Sequence, residues 1–170
     1  MEIKFLPTLE WWITKWLHEH GFEDVSARVN PDFEYDFETS SIGFPLALSA
    51  NVEGWFYNFI IANFDFPYNC DPFITSFFHE LGHDQIYMDF SEEEFEEYEK
   101  DKEDCAIEVD DDDETREKKN TSYFSLPFEY AATAWGVEYI KTHEDDVAEF
   151  WRVCSKMLQW IYKINNVEVD

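Results

Sequence analysis

Phe77-Phe78-His79-Glu80-Leu81-Gly82-His83 is a His-Glu-x-x-His pattern set in an apolar run. On a helix, His79 and His83 are four residues apart and share a face, so both imidazoles can reach one tetrahedral Zn²⁺. Glu80 lies beside His79, placed to take a proton from a water rather than to bind the metal. The competing reading is a core helix that happens to carry two histidines and an acid. Upstream, Asn69-Cys70-Asp71-Pro72 supplies a start signal. Asp71 can act as N-cap with Pro72 at the first helical position, which predicts a helix over 72–88. Gly82 inside that helix costs about 1 kcal/mol relative to alanine. A strand or substrate approaching closely at Gly82 would justify that cost.

A catalytic zinc site needs a third protein ligand and one open position. Leu126-Pro127-Phe128-Glu129-Tyr130-Ala131-Ala132-Thr133-Ala134-Trp135-Gly136-Val137-Glu138-Tyr139 reads as a buried helix with a proline near its start. Glu129 is the acid of its first turn, where it can complement the helix dipole. Flanked by Phe128 and Tyr130, however, its carboxylate is costly to bury without a cation. Glu129 is therefore the expected third ligand. Glu138 is one alternative. His143 is another, but it lies in the polar stretch Lys141-Thr142-His143-Glu144-Asp145-Asp146, which reads as a solvated turn.

His79-Glu80-Leu81-Gly82-His83 followed by Glu129-Tyr130-Ala131-Ala132-Thr133-Ala134-Trp135 resembles the compact ImmA/IrrE-type zinc metallopeptidases. The resemblance covers roughly residues 71–83 and 126–140. It implies a small α+β, gluzincin-like domain of bacterial, phage or mobile-element origin that acts on a specific intracellular protein. The extreme acidity of the chain and the long acidic stretch between the two site helices depart from that pattern.

A chain of 170 residues suits one domain with a real core, and 19% aromatic residues make that core bulky. No run of 18 apolar residues occurs, so no membrane-spanning helix is expected. Met1-Glu2-Ile3-Lys4 lacks the basic start and apolar centre of a secretion signal. Cys70, Cys105 and Cys154 are odd in number and far apart, which reads as free thiols in a reducing cytoplasm.

Charge is the second unusual feature. With 12 Lys and Arg against 39 Asp and Glu, the net is −27. Such a chain repels nucleic acid and attracts basic surfaces, including those of nucleic-acid-binding proteins. Between Asp84 and Glu117 stand 18 acids and 3 bases. The stretch Glu92–Glu99 can form a helix with Phe95 and Tyr98 on one face. Asp110-Asp111-Asp112-Asp113-Glu114 reads as a mobile loop. The plain reading of residues 91–120 is a solvated, partly mobile acidic insertion. The sharper one is a decoy that imitates the phosphate backbone. A calcium loop is a weak third, because the spacing and central glycine of an EF-hand are missing.

The remainder reads as scaffold. Leu9, Trp12, Ile13, Trp16 and Leu17 recur at helical spacing, with Thr8 as expected N-cap and Gly21 past the end. His18 and His20 face different directions and read as surface residues. Val25–Val29 and Phe33–Phe37 alternate with period two, and Ile42–Leu48 and Trp55–Phe64 are expected as further strands. The last, around Trp55–Ala62, would be an edge strand that aligns an extended substrate beside the site. Val147, Phe150, Trp151, Cys154, Leu158 and Ile161 mark a final amphipathic helix. The expected fold is thus α+β: a single zincin-like domain with a short, mostly antiparallel sheet packed against the His-Glu-x-x-His helix and the C-terminal helices.

Two functions of different class emerge. In the first, Zn²⁺ on His79, His83 and Glu129 polarises a scissile carbonyl and acidifies water, and Glu80 moves the proton to the leaving amine. Tyr87, Tyr123, Tyr130 and His143 are candidates to steady the oxyanion, and Asp84 and Glu138 to hold the ligand imidazoles. In the second, the acidic surface inhibits a DNA- or RNA-binding host defence protein, such as a restriction or CRISPR effector, by filling its basic channel. A site whose zinc only stabilises the fold is a third, plainer outcome.

Overall fold

The computed structural model describes residues 5–46, 54–66 and 70–165. Among the described residues the fold is α+β, 70% helical, with seven α-helices and a three-stranded mixed sheet. The helices are α1 (Leu6–Glu19), α2 (Gly54–Asn63), α3 (Pro72–Ile86), α4 (Glu92–Asp104), α5 (Asp113–Phe124), α6 (Pro127–Thr142) and α7 (Glu144–Asn165). The strands are β1 (Ser26–Val29), β2 (Glu34–Asp36) and β3 (Ser41–Phe44). The chain divides into two compact units, Met1–Val52 with Thr142–Asp170, and Glu53–Lys141.

The first unit holds α1, the sheet and α7. Strand order is β1-β3-β2, with β1 parallel and β2 antiparallel to β3. The sheet is therefore mixed rather than mostly antiparallel, because the connection after β1 carries the chain to the far side of β3. The outer edge of β1 is covered by α1. Thr14 Oγ1 accepts from the Ala27 amide (2.9 Å) and a Glu10 carboxylate oxygen from the Val29 amide (2.8 Å). Two helix side chains thus satisfy edge groups that would otherwise recruit another strand. Leu9, Ile13, Trp16 and Leu17 of α1 are buried. Phe150 of α7 meets the Trp12 and Trp16 rings at 5.7 and 4.8 Å. The helix begins at Leu6, so Thr8 lies inside it and is not the N-cap. Pro7, whose fixed φ suits a first helical turn, sets that earlier start. Gly21, at φ 94°, takes the left-handed position past the end.

The second unit is helical among its described residues. The run Trp55–Phe64, expected as a strand, is helix α2 as far as Asn63, with Phe56, Phe59 and Ile60 buried at i, i+3 and i+4. A short, continuously apolar run does not separate strand from buried helix by periodicity. The substrate-aligning edge strand assigned to Trp55–Ala62 is therefore overturned. The helix expected over 72–88 is α3, capped by Asp71, whose side chain accepts from the Phe73 amide at 2.9 Å. Every residue from Phe73 to His83 is buried, as befits a helix enclosed on all sides.

The acidic stretch is largely helical. Ser91 and Glu94 form a capping box that opens α4. Asp112 caps α5 by accepting from the Thr115 amide at 2.8 Å, so the expected loop over 110–114 ends at that cap. Among the described residues, no helix is long and apolar enough to cross a membrane.

Candidate metal centre

Two glycines set the crossing that builds the site. A Cβ on Gly82 of α3 would lie 2.3 Å from the Ala132 carbonyl oxygen of α6, and one on Gly136 of α6 would lie 2.8 Å from the Phe78 carbonyl oxygen of α3. Each helix therefore needs the other's glycine for its backbone to come this close. The partner that approaches Gly82 is a helix, neither strand nor substrate. The crossing delivers Glu129 and Thr133, one turn apart on α6, to the two histidines of α3.

His79 and His83 are one turn apart, and their Nε2 atoms stand 3.2 Å from each other. Glu129 Oε2 lies 3.1 Å from Nε2 of His79 and 3.4 Å from Nε2 of His83. All three side chains are buried, Glu129 to 1% exposure. The triangle has the size a metal needs. Zinc bonds of about 2.0–2.2 Å put tetrahedral ligand atoms about 3.3 Å apart.

The hydrogen bonds behind the triangle orient it. Thr133 Oγ1 donates to the Glu129 carbonyl (2.8 Å), so its lone pairs face His79 Nδ1 at 3.0 Å. His79 Nδ1–H must be the donor in that bond, and in the neutral ring this leaves the Nε2 lone pair aimed into the triangle. Glu129 Oε1 accepts from the hydroxyls of Tyr98 on α4 and Tyr123 on α5, the latter at 2.7 Å. Glu129 Oε2 accepts no hydrogen bond among the described residues. A buried carboxylate oxygen in that state, facing two imidazole nitrogens, is a place for a cation.

Titration behaviour follows from the same contacts. Burial pushes the Glu129 carboxyl upward; when the imidazole nitrogens of His79 and His83 that face it carry protons, their hydrogen bonds and charge outweigh burial and hold it well below the usual carboxylate range. Burial, then the Glu129 charge, raises both Tyr98 and Tyr123 well above the usual phenol range, so both remain hydroxyl donors.

Glu80 is buried, and His79, Glu80 and His83 offer ligand atoms within 4.8 Å of one another. Two carboxylates thus compete for the third position. Glu129 Oε2, at 3.1 and 3.4 Å from the two Nε2 atoms, completes the triangle, and its carboxylate is oriented by the Tyr98 and Tyr123 hydroxyls. Glu80 is left beside the triangle. Aromatic rings wall the site: Phe56 lies 4.8 Å and Phe124 6.4 Å from the His79 ring, and Phe128 lies 4.8 Å from that of His83.

The other candidates from the sequence stand elsewhere. Glu138 is exposed on α6, and His143 is exposed in the turn after it, paired with Thr142. Tyr87 and Tyr130 are exposed, whereas Tyr123 is engaged with Glu129 rather than aimed at an oxyanion. The imidazole of His79 is held by Thr133, not by Asp84 or Glu138. Sequence reasoning missed Thr133 and Tyr98. The signal for Thr133 was its place four residues after Glu129, on the same helix face. Tyr98 was noticed only as an apolar neighbour of Phe95.

The arrangement can hold a divalent cation on two nitrogens and one oxygen, with a second carboxylate beside it. No protein family, no curated protein and no solved structure matches the chain.

Proposed function

We propose that the chain is a zinc-dependent hydrolase of the metallopeptidase kind, acting on a specific protein. The observation that carries this reading is the convergence of His79 Nε2, His83 Nε2 and Glu129 Oε2 at 3.1–3.4 Å, with no hydrogen-bond donor on Glu129 Oε2 among the described residues. Two imidazoles and a carboxylate suit zinc, and three protein ligands leave a coordination position open, as catalytic rather than structural sites do. Bound there, zinc would supply a Lewis acid.

The protein's own groups do the rest. Thr133 holds His79 in the tautomer whose Nε2 can ligate. Glu80 takes the proton from the attacking water and delivers it to the leaving amine. Phe56, Phe124 and Phe128 keep the surroundings dry, which strengthens every electrostatic interaction at the site. The ImmA/IrrE resemblance points to the same chemistry and to a repressor-type protein substrate. The test compares wild type with Glu80→Gln on a peptide library at equal zinc loading. Cleavage by wild type and a loss of at least about 100-fold in the variant support the reading. Equal cleavage by both refutes it.

A second reading is favoured by one observation. The acids Glu92, Glu93, Glu94, Glu96, Glu97 and Glu99 of α4 are all exposed. Such a face would occupy the basic channel of a nucleic-acid-binding protein. Binding to a basic partner that does not weaken with salt would rule it out.

A further inference from the structure

Glu129 Oε1 is where two hydroxyls from the acidic stretch meet, Tyr98 from α4 and Tyr123 from α5. We infer that Tyr98 and Tyr123 are positioning residues of the metal centre, and that through them the acidic helices α4 and α5 are a working part of that centre. The inference rests on the zinc reading of His79, His83 and Glu129.

A carboxylate can meet a cation with one oxygen or with both. Here Oε1 already accepts two hydrogen bonds, which occupy its lone pairs. Only Oε2 is left for the cation, and it is the oxygen that faces both Nε2 atoms. Turning the carboxylate so that both oxygens met the cation would break the tyrosine bonds inside a buried site. The tyrosines therefore select one-oxygen ligation and hold the carboxylate in the plane that completes the triangle. Their rings are themselves fixed: Tyr98 packs on Phe128 at 5.2 Å and Tyr123 on Phe124 at 5.2 Å. Ligand-orienting partners of this kind are worth 10- to 100-fold in metal affinity, as an order of magnitude.

The coupling runs both ways. Tyr98 is the one buried residue among those of α4, and Phe124 holds that place on α5. The remaining α4 surface is charged, and half-buried Phe95 is its other apolar anchor. Helix α4 has little besides these contacts to dock it, whereas α5 also rests its Phe124 on Phe56 and Phe59 of α2. A cation that fixes Glu129 in its clamped orientation must then also favour the docked state of α4 and α5, by the reciprocity of linked equilibria.

The test uses the full chain with Zn²⁺ and Co²⁺ alone as probes. Tyr98→Phe, Tyr123→Phe and the double variant keep the rings and remove the hydroxyls. Zinc affinity is read by competition with a chromophoric chelator, coordination by the Co²⁺ absorption bands, and docking by hydrogen exchange over residues 92–124. The expected result is about 10- to 100-fold weaker zinc binding for each single variant, with helix content unchanged. Altered Co²⁺ bands and loss of the zinc-dependent protection of α4 and α5 are expected alongside. A purely structural role would lower thermal stability and leave affinity and Co²⁺ bands alone, and that result overturns the inference. If the double variant does not fold, Tyr123→Phe at the half-buried position decides by the same readings. A wild type that takes up no zinc refutes the metal reading itself, and this inference with it. A wild type that binds zinc no better than its hydroxyl-free variants refutes the inference alone.

Discussion

Gly82→Ala tests the crossing that assembles the centre. A Cβ at this position would meet the Ala132 carbonyl oxygen at 2.3 Å, against the 3.4 Å at which ordinary contact begins. The two backbones must part by about 1 Å, because a carbonyl in a helix cannot swing aside like a flexible side chain. Alanine gains about 1 kcal/mol of helix propensity over glycine. Overpacking costs about 1–3 kcal/mol, and a backbone clash belongs at the upper end, so the net loss is about 1–2 kcal/mol. The effect on the centre is larger in proportion. Metal bonds tolerate about 0.2 Å, and the displaced element carries Glu129 and Thr133. Zinc affinity should therefore fall by at least about 100-fold. The assay is urea unfolding of the metal-free protein beside chelator competition for zinc. Gly54→Ala is the control: a Cβ there meets nothing within 4 Å, so it should change stability by less than about 0.5 kcal/mol and zinc affinity not at all. A Gly82→Ala protein as stable as wild type, with undiminished zinc affinity, would refute the reasoning.

Thr133→Val removes the acceptor of the His79 Nδ1 proton and should weaken zinc binding by about 10- to 100-fold while the fold persists, as followed by chelator competition and circular dichroism. Asp112→Ala removes the N-cap of α5 and should cost about 1 kcal/mol in urea unfolding. Burial first, and the charge of Asp71 second, push the Cys70 thiol up to about 12. Near pH 8.5 its thiolate is then scarce, and its greater nucleophilicity offsets only part of that. Alkylation of Cys70 by iodoacetamide should be roughly 100-fold slower in the folded than in the unfolded protein and should keep rising with pH, measured by mass spectrometry of the labelled peptide.

How far the sequence could be read depends on the range of each signal. The start of α3 was legible because Asp71 and Pro72 act within one turn. The stripes of α1 and α7 were legible because burial repeats at helical spacing. Helix α2 was not, since Trp55–Ala62 is apolar but for Asn58 and its period carries little information. The direction of β1 relative to β3 depends on a connection that no local residue specifies. At the centre, His79 and His83 are neighbours by helix geometry. Glu129 is 46 residues further on, and the clue to it was chemical: an acid in an apolar turn wants a cation. The hydroxyls of Tyr98 and Tyr123 had no such clue. Their meeting on Oε1 depends on how α4 and α5 dock, and Tyr98 sits in a run whose charge draws attention away from it. Gly82 and Gly136 were visible as small residues, but their pairing across α3 and α6 is a property of the packed structure.

The central claim is that His79, His83 and Glu129 form one metal site. Zinc content of the purified chain, measured by elemental analysis in wild type, His79→Ala and Glu129→Ala, tests it most directly. The account predicts about one zinc per wild-type chain and loss of it in both variants. Wild-type protein purified without chelator that holds no zinc and takes none up on addition, or a Glu129→Ala protein that keeps its zinc, would contradict it.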